Sequence, residues 1–330
     1  MKAPGAGVPE PRLYTRRELL TRVAGTAAAA AGAVGLGLAL VDREPSAAPA
    51  PVRMKDHRVE RPAGAVGMAI ARGKDPAANV RLAIEAMGGM AAFVKRGVGV
   101  VVKPNAGWNR LPEQAANTDP EVVAEVVRLA LAAGAAQVWV TDNPVNSADR
   151  CFARSGIGEA ARRAGAALVM PGARDFRLVE AGGETLRLAE VLWPLLEADR
   201  VINVPVVKQH GLSRATLAMK NWYGVLGGHR ARLHQDIHRS VVDLAAMVRP
   251  TLTVMDATRV LLANGPSGGS LDDVKRLDTV AVSTDEVALD AFGASLLGIA
   301  PAEVGSIALG EKAALGRADW RSLKLQELGT

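Results

Sequence analysis

Short runs of Val, Ile and Ala alternate along most of the chain with longer stretches whose apolar residues recur every three or four positions. The short runs predict strands, and the longer stretches predict amphipathic helices. The predicted strands are continuously apolar, which is typical of a parallel sheet that is buried on both faces. They span residues 66–70, 98–102, 137–141, 167–170, 201–204, 251–255 and 280–283. The pattern therefore predicts an α/β fold, with a mostly parallel sheet and helices on both faces.

Local patterns add detail to this fold. A Gly-Gly pair splits the segment 176–188, which predicts a β-hairpin insertion. The motifs TDPE at 118–121 and STDE at 283–286 predict helix starts that are closed by capping boxes. We expect a single α/β domain over residues 51–330, with its core at about 65–300. A two-lobed arrangement is the alternative.

The N-terminus has the layout of an export signal. Arg16 and Arg17 precede an uncharged segment, 23–41, that consists mostly of Ala, Gly, Leu and Val. A pair of arginines before a weakly hydrophobic segment is typical of a twin-arginine signal. We therefore expect residues 1–50 to be a signal and cleavage region that the twin-arginine machinery recognises. Residues 51–330 are then predicted to be extracytoplasmic, in the periplasm or at the cell surface.

Cleavage of this signal is an open point. Ala48 and Ala50 offer a small-residue cleavage pattern, but Pro51 disfavours that cut. The alternative is that the uncharged segment 23–41 stays attached as a membrane tether, since its length just suffices to span a bilayer. Both interpretations place the rest of the chain outside the cytoplasm.

Composition excludes several classes of protein. The chain has 330 residues, of which 49% are hydrophobic, so it is long and apolar enough to form a folded core. Its single cysteine, Cys151, excludes an internal disulfide framework and argues against a protein-bound iron–sulfur cluster, which needs several thiolates. The net charge of +6 invites a nucleic-acid interpretation. No nucleic-acid-binding motif accompanies that charge, and we expect no nucleic-acid partner.

Ionisable and polar side chains follow four of the predicted strands. Lys103 and Asn105 follow the second strand, and Asp142 and Asn143 follow the third. Two later strand ends deliver the groups Lys208, His210 and Asp256. In open parallel sheets, ligands bind outside the carboxyl ends of the strands. A helix cap or a solvated loop charge would explain any one of these groups, but four successive strand ends indicate a site.

Lysine usage supports the same site. Only ten of the 40 Lys and Arg residues are lysines, and three of them, Lys103, Lys208 and Lys220, lie at strand ends or in loops within motif-like sequence. Lysine is a compact charge whose pKa falls on burial, which suits a general base or an anion clamp.

The block 205–250 is basic and holds four of the five histidines. If residues 231–248 are one helix, His234 and His238 lie one turn apart and could hold a divalent metal. Binding of an anion, or an ordinary place at the helix boundary, are the alternatives. Gly265 belongs to a glycine-rich loop that could form an anion-binding nest of backbone N–H groups or a plain turn.

Two acidic residues are predicted to support the site from behind. Asp290 falls on the apolar face of its predicted helix, where a buried carboxylate needs a partner. Asp285 lies in the start of the same helix. A helix-edge carboxylate that reaches solvent is the alternative for Asp290.

Several ordered motifs resemble the prokaryotic family called domain of unknown function 362. They are KPN at 103, VTDNP at 140, VKQHGLSRATLAMKNWYGVLGG at 207, MDAT at 255, NGPSGG at 264 and STDEVALDAFGASLLG at 283. The resemblance implies an α/β fold with a site near these motifs, but no settled activity. Some members carry ferredoxin-like CxxCxxC segments, from which this chain departs. The domain arrangement is also similar to lactate-racemase-like proteins, in which lysine and histidine transfer protons at a carbon that bears an acid.

Together these features predict an exported protein with an enzyme-like cationic pocket for a small anionic ligand, a carboxylate or a phosphate. The candidates for acid–base chemistry are Lys208, His210, Lys220 and Asp256, and the candidates for ligand binding are Lys103, Asn105, Asp142, Asn143, Asn221 and Gly265. The alternative is a non-catalytic accessory protein that binds a ligand or a metal outside the cytoplasm.

Overall fold

The computed structural model describes residues 15–41 and 50–329. The chain divides into two compact units, Met1–Ala50 and Pro51–Thr330. In the first unit the described part is mainly one helix, α1 (Arg16–Val41). Across the described residues, no helix combines the length and hydropathy that a membrane crossing requires. The predicted cleavage pattern at Ala48 lies outside the described residues.

The second unit contains two sheets. Its strands are β1 (Val52–Arg53), β2 (Met68–Arg72), β3 (Gly99–Pro104), β4 (Gln137–Thr141), β5 (Ala167–Val169), β6 (Phe176–Glu180), β7 (Leu188–Leu192), β8 (Arg200–Val204), β9 (Val206–His210), β10 (Arg214–Thr216), β11 (Leu252–Leu261), β12 (Val274–Ser283) and β13 (Leu325–Gly329). Within the described residues the large sheet has the order β13-β2-β12-β11-β8-β3-β4-β5, and β9 and β10 extend it beside β11.

Most strand pairs of the large sheet are parallel, as predicted. Strands β11, β8, β3, β4 and β5 are parallel neighbours, and β9 also runs parallel to β11. Strand β12 is antiparallel to both β11 and β2. The predicted insertion is an antiparallel hairpin of β6 and β7, to which β1 adds a short parallel strand.

Helices cover both faces of the large sheet. They are α2 (Pro76–Ala86), α3 (Met90–Phe93), α4 (Pro120–Ala132), α5 (Ala148–Arg154), α6 (Ile157–Arg163), α7 (Pro194–Glu197), α8 (Ala218–Asn221), α9 (Ile237–Val248), α10 (Glu286–Leu296) and α11 (Gly305–Lys312). Alternate residues of each strand enter opposite cores: Met68 and Ile70 pack with α8–α11, while Ala69 and Ala71 pack with α2–α6. The continuously apolar strands of the sequence had predicted that both faces of the sheet are covered by helices.

The helix starts differ in detail from the prediction. Asp119 and Asp285 are the capping residues, and each accepts a backbone N–H of the first turn. Thr118 instead donates its hydroxyl to the Val204 carbonyl and accepts the Asn105 N–H. An aspartate before the first helical residue reaches the free N–H groups, which leaves the threonine available to tie the loop after β3 to the end of β8.

Candidate functional site

A cavity of about 240 Å³ lies beyond the carboxyl ends of β3, β4 and β9. It has room for roughly eight water molecules at about 30 Å³ each, so it fits a small molecule. Most predicted site residues line it together: Lys103, Asn105, Asp142, Asn143, Lys208, His210, Lys220, Asn221 and His234. Neighbouring parallel strands end at the same edge of the sheet, and this explains why the residues at those strand ends lie close together.

The deepest part of the cavity is a closed hydrogen-bond network, here called the floor: Lys103, Asn105, Asp142, Lys208 and Asn221. Lys103 is fully buried, and its Nζ lies 2.7 Å from Asp142 Oδ1. The same ammonium donates to the Pro104 carbonyl at 2.8 Å and to Asn221 Oδ1 at 3.0 Å. Burial lowers the pKa of Lys103, and Asp142 opposes that shift. Because Lys103 forms an ion pair with the Asp142 carboxylate and donates to two further oxygens, we assign it as a buried ammonium that organises the floor.

Lys208 closes the other side of the floor. Its Nζ donates to Asn105 Oδ1 at 3.1 Å and to the carbonyl of Ala116. Burial, followed by the charge of Lys220, holds the pKa of Lys208 well below its usual range. Two of its three donor positions are occupied when it is protonated, so one remains for a ligand.

Gly224 allows the chain to pass directly over the buried ion pair. A Cβ at this position would overlap the Asp142 carboxylate and would come within 2.6 Å of Lys103 Nζ. The Gly224 carbonyl also accepts the Asn143 N–H at 2.6 Å. Glycine is therefore required at this position because the backbone passes close to the ion pair, and not because of its φ angle.

Three polar residues on the cavity lining have hydrogen-bond donors that are not in use. They are here called the open wall: His210, Thr216 and Lys220. Lys220 Nζ lies 4.8 Å from the centre of the Tyr223 ring, and no acceptor within the described residues hydrogen-bonds to it. Burial, reinforced by Arg230, lowers the pKa of Lys220 to about 8. The buried Thr216 hydroxyl also finds no hydrogen-bond partner among the described residues. Buried polar groups are rarely left unpaired, so the open wall is suited to a ligand.

His210 presents one defined nitrogen to the cavity. Its Nδ1 accepts the backbone N–H groups of Leu212 and Ser213, at 3.1 and 3.3 Å. Burial, with Lys220 and Lys208 nearby, lowers the pKa of His210 to about 3. A neutral ring whose Nδ1 accepts must carry its proton on Nε2, so His210 offers the cavity a hydrogen-bond donor.

Two buried carboxylates on α10 hold the segment that carries Lys220. Asp290 accepts the backbone N–H of Ala218 at 2.6 Å, at the start of α8. Glu286, one turn earlier, accepts the Trp222 indole N–H at 2.9 Å and the Asn203 side-chain amide at 2.6 Å. Burial raises the pKa of both carboxyl groups. Asp290 thus supports the site through α8, while the sequence analysis missed Glu286.

Other predicted residues lie away from the cavity lining. Asp256 accepts the N–H of Asp119 at 2.7 Å and does not line the cavity, because β11 continues past it instead of ending there. Burial, and then the nearby Asp119 carboxylate, raise the pKa of Asp256 to about 7. Asp285 caps α10. Gly265 donates its N–H to Gln209 Oε1 on β9. It is not among the residues that line the cavity.

The histidine pair differs from the prediction. Residues Arg230–Asp236 form a 3-10 helix, and the α-helix begins only at Ile237, so the two histidines do not lie on one α-helical turn. His234 lines the cavity and lies against the Tyr223 ring. His238 instead accepts the N–H of Ser306. Among the described residues, no group of three His, Cys, Asp or Glu side chains is placed to hold a metal.

The sequence analysis also missed Arg230 and Trp108, which line the cavity. The Arg230 guanidinium donates to the carbonyls of Asn143 and Pro144, both at 2.6 Å, and so ties the 3-10 helix to the loop after β4. Trp108 lies in a loop and Arg230 at the first residue of a short 3-10 helix, so neither position carried a periodic signal. The basic surplus of block 205–250 was the only sequence feature that could have pointed to Arg230.

The fold and the cavity define an α/β protein with a lysine-lined cavity at the carboxyl edge of its sheet. The chain belongs to the family described as domain of unknown function (DUF362), whose model matches residues 100–295. A thylakoid-associated protein of Synechocystis sp. is 29% identical to it over 256 residues, which are 72% of this chain and 75% of that protein.

Two solved structures are similar at a lower level. The lactate racemase apoprotein from Thermoanaerobacterium thermosaccharolyticum has a TM-score of 0.40 and 11% identity, with 74% of this chain covered. A protein from Thermotoga maritima has a TM-score of 0.38 and 12% identity, with 73% of this chain covered. The chain spans 60% of the length of each of these two proteins.

Proposed function

We propose that this chain is an exported protein that binds a small carboxylate or phosphate anion in the cavity, with the Lys220 amine as its reactive group. The observation that carries the proposal is the open wall. Three neighbouring groups can donate hydrogen bonds into one cavity, and the acceptor they lack would be supplied by an anion.

The charges around the cavity support an anion over a cation. Lys103, Lys208, Lys220 and Arg230 all line it. Asp142 is the one carboxylate among its lining residues, and its two oxygens already contact Lys103 Nζ and the Ala106 N–H. A cationic ligand would therefore find no free carboxylate on the described surface of the cavity, whereas an anion gains several charge-assisted contacts.

Calorimetric titration tests this proposal. We expect 2-oxobutanoate, 2-hydroxybutanoate or inorganic phosphate to bind residues 51–330 and to raise the unfolding temperature, because a ligand that binds only the folded state stabilises it. Butanamide, which is neutral, is the matched control and should bind at least tenfold more weakly. Equal binding of butanamide, or no binding by any of the three anions, would refute the anion site.

A binding protein without chemistry is the second candidate. It is favoured by the state of His210, whose Nδ1 is occupied by two backbone N–H groups and so cannot act as a base toward a ligand. Lys220→Arg separates the two candidates, because arginine keeps the charge and cannot release its proton near neutral pH. If the protein only binds its ligand, this variant keeps its affinity and no turnover is seen in either form. If Lys220 carries chemistry, the variant loses turnover of the bound acid while binding remains.

The export proposal rests on the arginine pair at the start of α1, ahead of the uncharged segment 23–41. Replacing both Arg16 and Arg17 by lysine keeps the charge and removes the guanidinium pair that twin-arginine export requires. We expect the full-length variant to accumulate in the cytoplasm, measured by fractionation, while Arg22→Lys is exported normally. Unchanged export of the double variant would exclude this route.

A further inference from the structure

We propose that Lys220 is a nucleophile that forms an imine with the carbonyl group of a small 2-oxo acid. This inference rests on the proposed anion site and names the class of its ligand. The three cavity lysines differ in how firmly hydrogen bonds fix their amines, and attack on a carbonyl requires an amine that can turn toward it.

Lys103 and Lys208 are held in place as donors. Lys103 forms an ion pair with Asp142 and donates to two further oxygens, and Lys208 donates to Asn105 and Ala116. Lys220 has no acceptor among the described residues and packs only against the Tyr223 ring. Its amine can therefore turn toward a ligand without breaking a hydrogen bond.

The surroundings of Lys220 favour the neutral amine that attack requires. Burial and Arg230 lower its pKa to about 8, so a substantial fraction is unprotonated slightly above neutral pH. Lysines next to other cations in desolvated sites are the ones that form imines in proteins. The nearest carboxylate in the cavity, Asp142, is already paired with Lys103 and so does not hold a proton on Lys220.

The rest of the open wall fits the carboxylate of such an acid. Thr216 lies directly opposite Lys208 in the antiparallel pair β9–β10, so both side chains point to the same side of the ladder. The unpartnered Thr216 hydroxyl and the third proton of charged Lys208, a form that a bound carboxylate favours, offer two donors to that carboxylate. In a 2-oxo acid the carbonyl carbon is bonded to the carboxyl carbon, so anchoring the carboxylate keeps the carbonyl inside the cavity. Trp108 and Tyr223 form apolar walls for a short alkyl group.

The reaction balances without any co-reactant. The lone pair of neutral Lys220 Nζ forms a bond to the carbonyl carbon, and the C=O electron pair moves to oxygen, which takes a proton as the nitrogen loses one. The hydroxyl group then leaves as water together with the remaining N–H proton, which breaks the C–O bond and leaves a neutral C=N bond that takes up a proton from solvent. The His210 Nε2–H can donate to the carbonyl oxygen during attack, which favours charge development there.

Reductive trapping tests the proposal. Residues 51–330 are incubated with 2-oxobutanoate and sodium cyanoborohydride, and the products are analysed by intact mass and peptide mapping. We expect one addition, equal to the acid less one water plus two hydrogens, on the peptide that contains Lys220. The ligand 2-hydroxybutanoate, which has a hydroxyl group in place of the ketone, should add nothing. Lys220→Arg should abolish the addition, and Lys275→Arg, at an exposed lysine, should not change it.

Calorimetry under the same conditions separates this inference from the anion site. Binding of 2-oxobutanoate without an addition at Lys220, or additions spread equally over surface lysines, would overturn the imine and leave the anion site intact. Absence of both binding and addition would overturn both. Because the mapping is done on the unmodified sequence, a variant that folds poorly does not affect the conclusion.

Discussion

The floor and the open wall of the cavity lie side by side and contain similar residues, yet their polar atoms are satisfied to different degrees. In the floor, Lys103 and Asp142 form a buried pair to which backbone and amide groups add further hydrogen bonds. In the open wall, Lys220 and Thr216 have no hydrogen-bond partners among the described residues. The presence of a lysine in the cavity therefore does not by itself show that it acts on a ligand. The number of acceptors around its amine decides whether it stabilises the fold or faces a ligand.

This difference assigns opposite consequences to mutation. Changes in the floor should unfold the protein, because a buried charge that loses its partner costs about 3–5 kcal/mol. Changes in the open wall should weaken ligand binding and leave stability nearly unchanged, because they break few interactions within the protein.

The largest effect is expected for Gly224→Ala. The added methyl group would displace the Asp142 carboxylate from Lys103, so we expect the free energy of unfolding to fall by about 3–5 kcal/mol in urea denaturation. Gly211→Ala is the matched control, because open space surrounds that position and its loss should be below about 1 kcal/mol. Equal losses in the two variants would show that the ion pair tolerates displacement.

Asp290→Asn should have a smaller effect that reaches both regions. The carboxylate caps the start of α8, and its loss should destabilise the protein by about 1–2 kcal/mol. Because α8 carries Lys220, anion affinity should also fall several-fold. Calorimetry and denaturation on the same sample measure both quantities. A loss of stability with unchanged affinity would mean that α8 keeps its place without this cap.

The smallest effect, near neutral pH, concerns the titration of Lys220. Its pKa in the folded protein is lowered to about 8, so the amine is charged below that pH and neutral above it. Affinity for a non-reactive anion such as 2-hydroxybutanoate should therefore be constant below about pH 7 and weaken by up to tenfold per pH unit above about 8. In Lys220→Arg the affinity should stay flat over the same range. If the affinity of the unmodified protein did not change with pH, the positive charge that binds the anion would not be that of Lys220.

The same titration affects stability with a defined sign. Between about pH 8 and the ordinary lysine pKa of 10.5, the unfolded chain binds the Lys220 proton and the folded protein does not. The unfolded state thus binds more protons, so this residue makes stability rise with pH in that window. Lys220→Met should remove that rise, which urea denaturation at several pH values measures.

The fold and much of the cavity were predictable because both depend on short-range patterns. Apolar runs predicted a parallel sheet covered on both faces, and the edge rule then placed Lys103, Asp142 and Lys208 together. Asp256 was misplaced because β11 does not end at residue 255 but continues to Leu261, which hydropathy alone does not reveal.

Other features depended on tertiary contacts that no local pattern encodes. Within the helix predicted for residues 231–248, Leu233 and Ile237 form part of a buried apolar stripe, yet the first turns are a 3-10 helix. The apolar stripe is compatible with both geometries over so short a segment, and Arg230 at its start is held by carbonyls of the distant loop after β4. The pairing of amines with acceptors, which separates the floor from the open wall, likewise became visible only in three dimensions.

The most direct test of the account compares Lys220→Met with the unmodified protein in a calorimetric titration with 2-hydroxybutanoate at pH 7. The account predicts that affinity falls by about tenfold or more, because a charge-assisted hydrogen bond contributes about 1.5–3 kcal/mol, while the urea midpoint at the same pH does not decrease. Unchanged affinity, or a loss of stability as large as that of Gly224→Ala, would contradict the assignment of Lys220 to a ligand-binding wall.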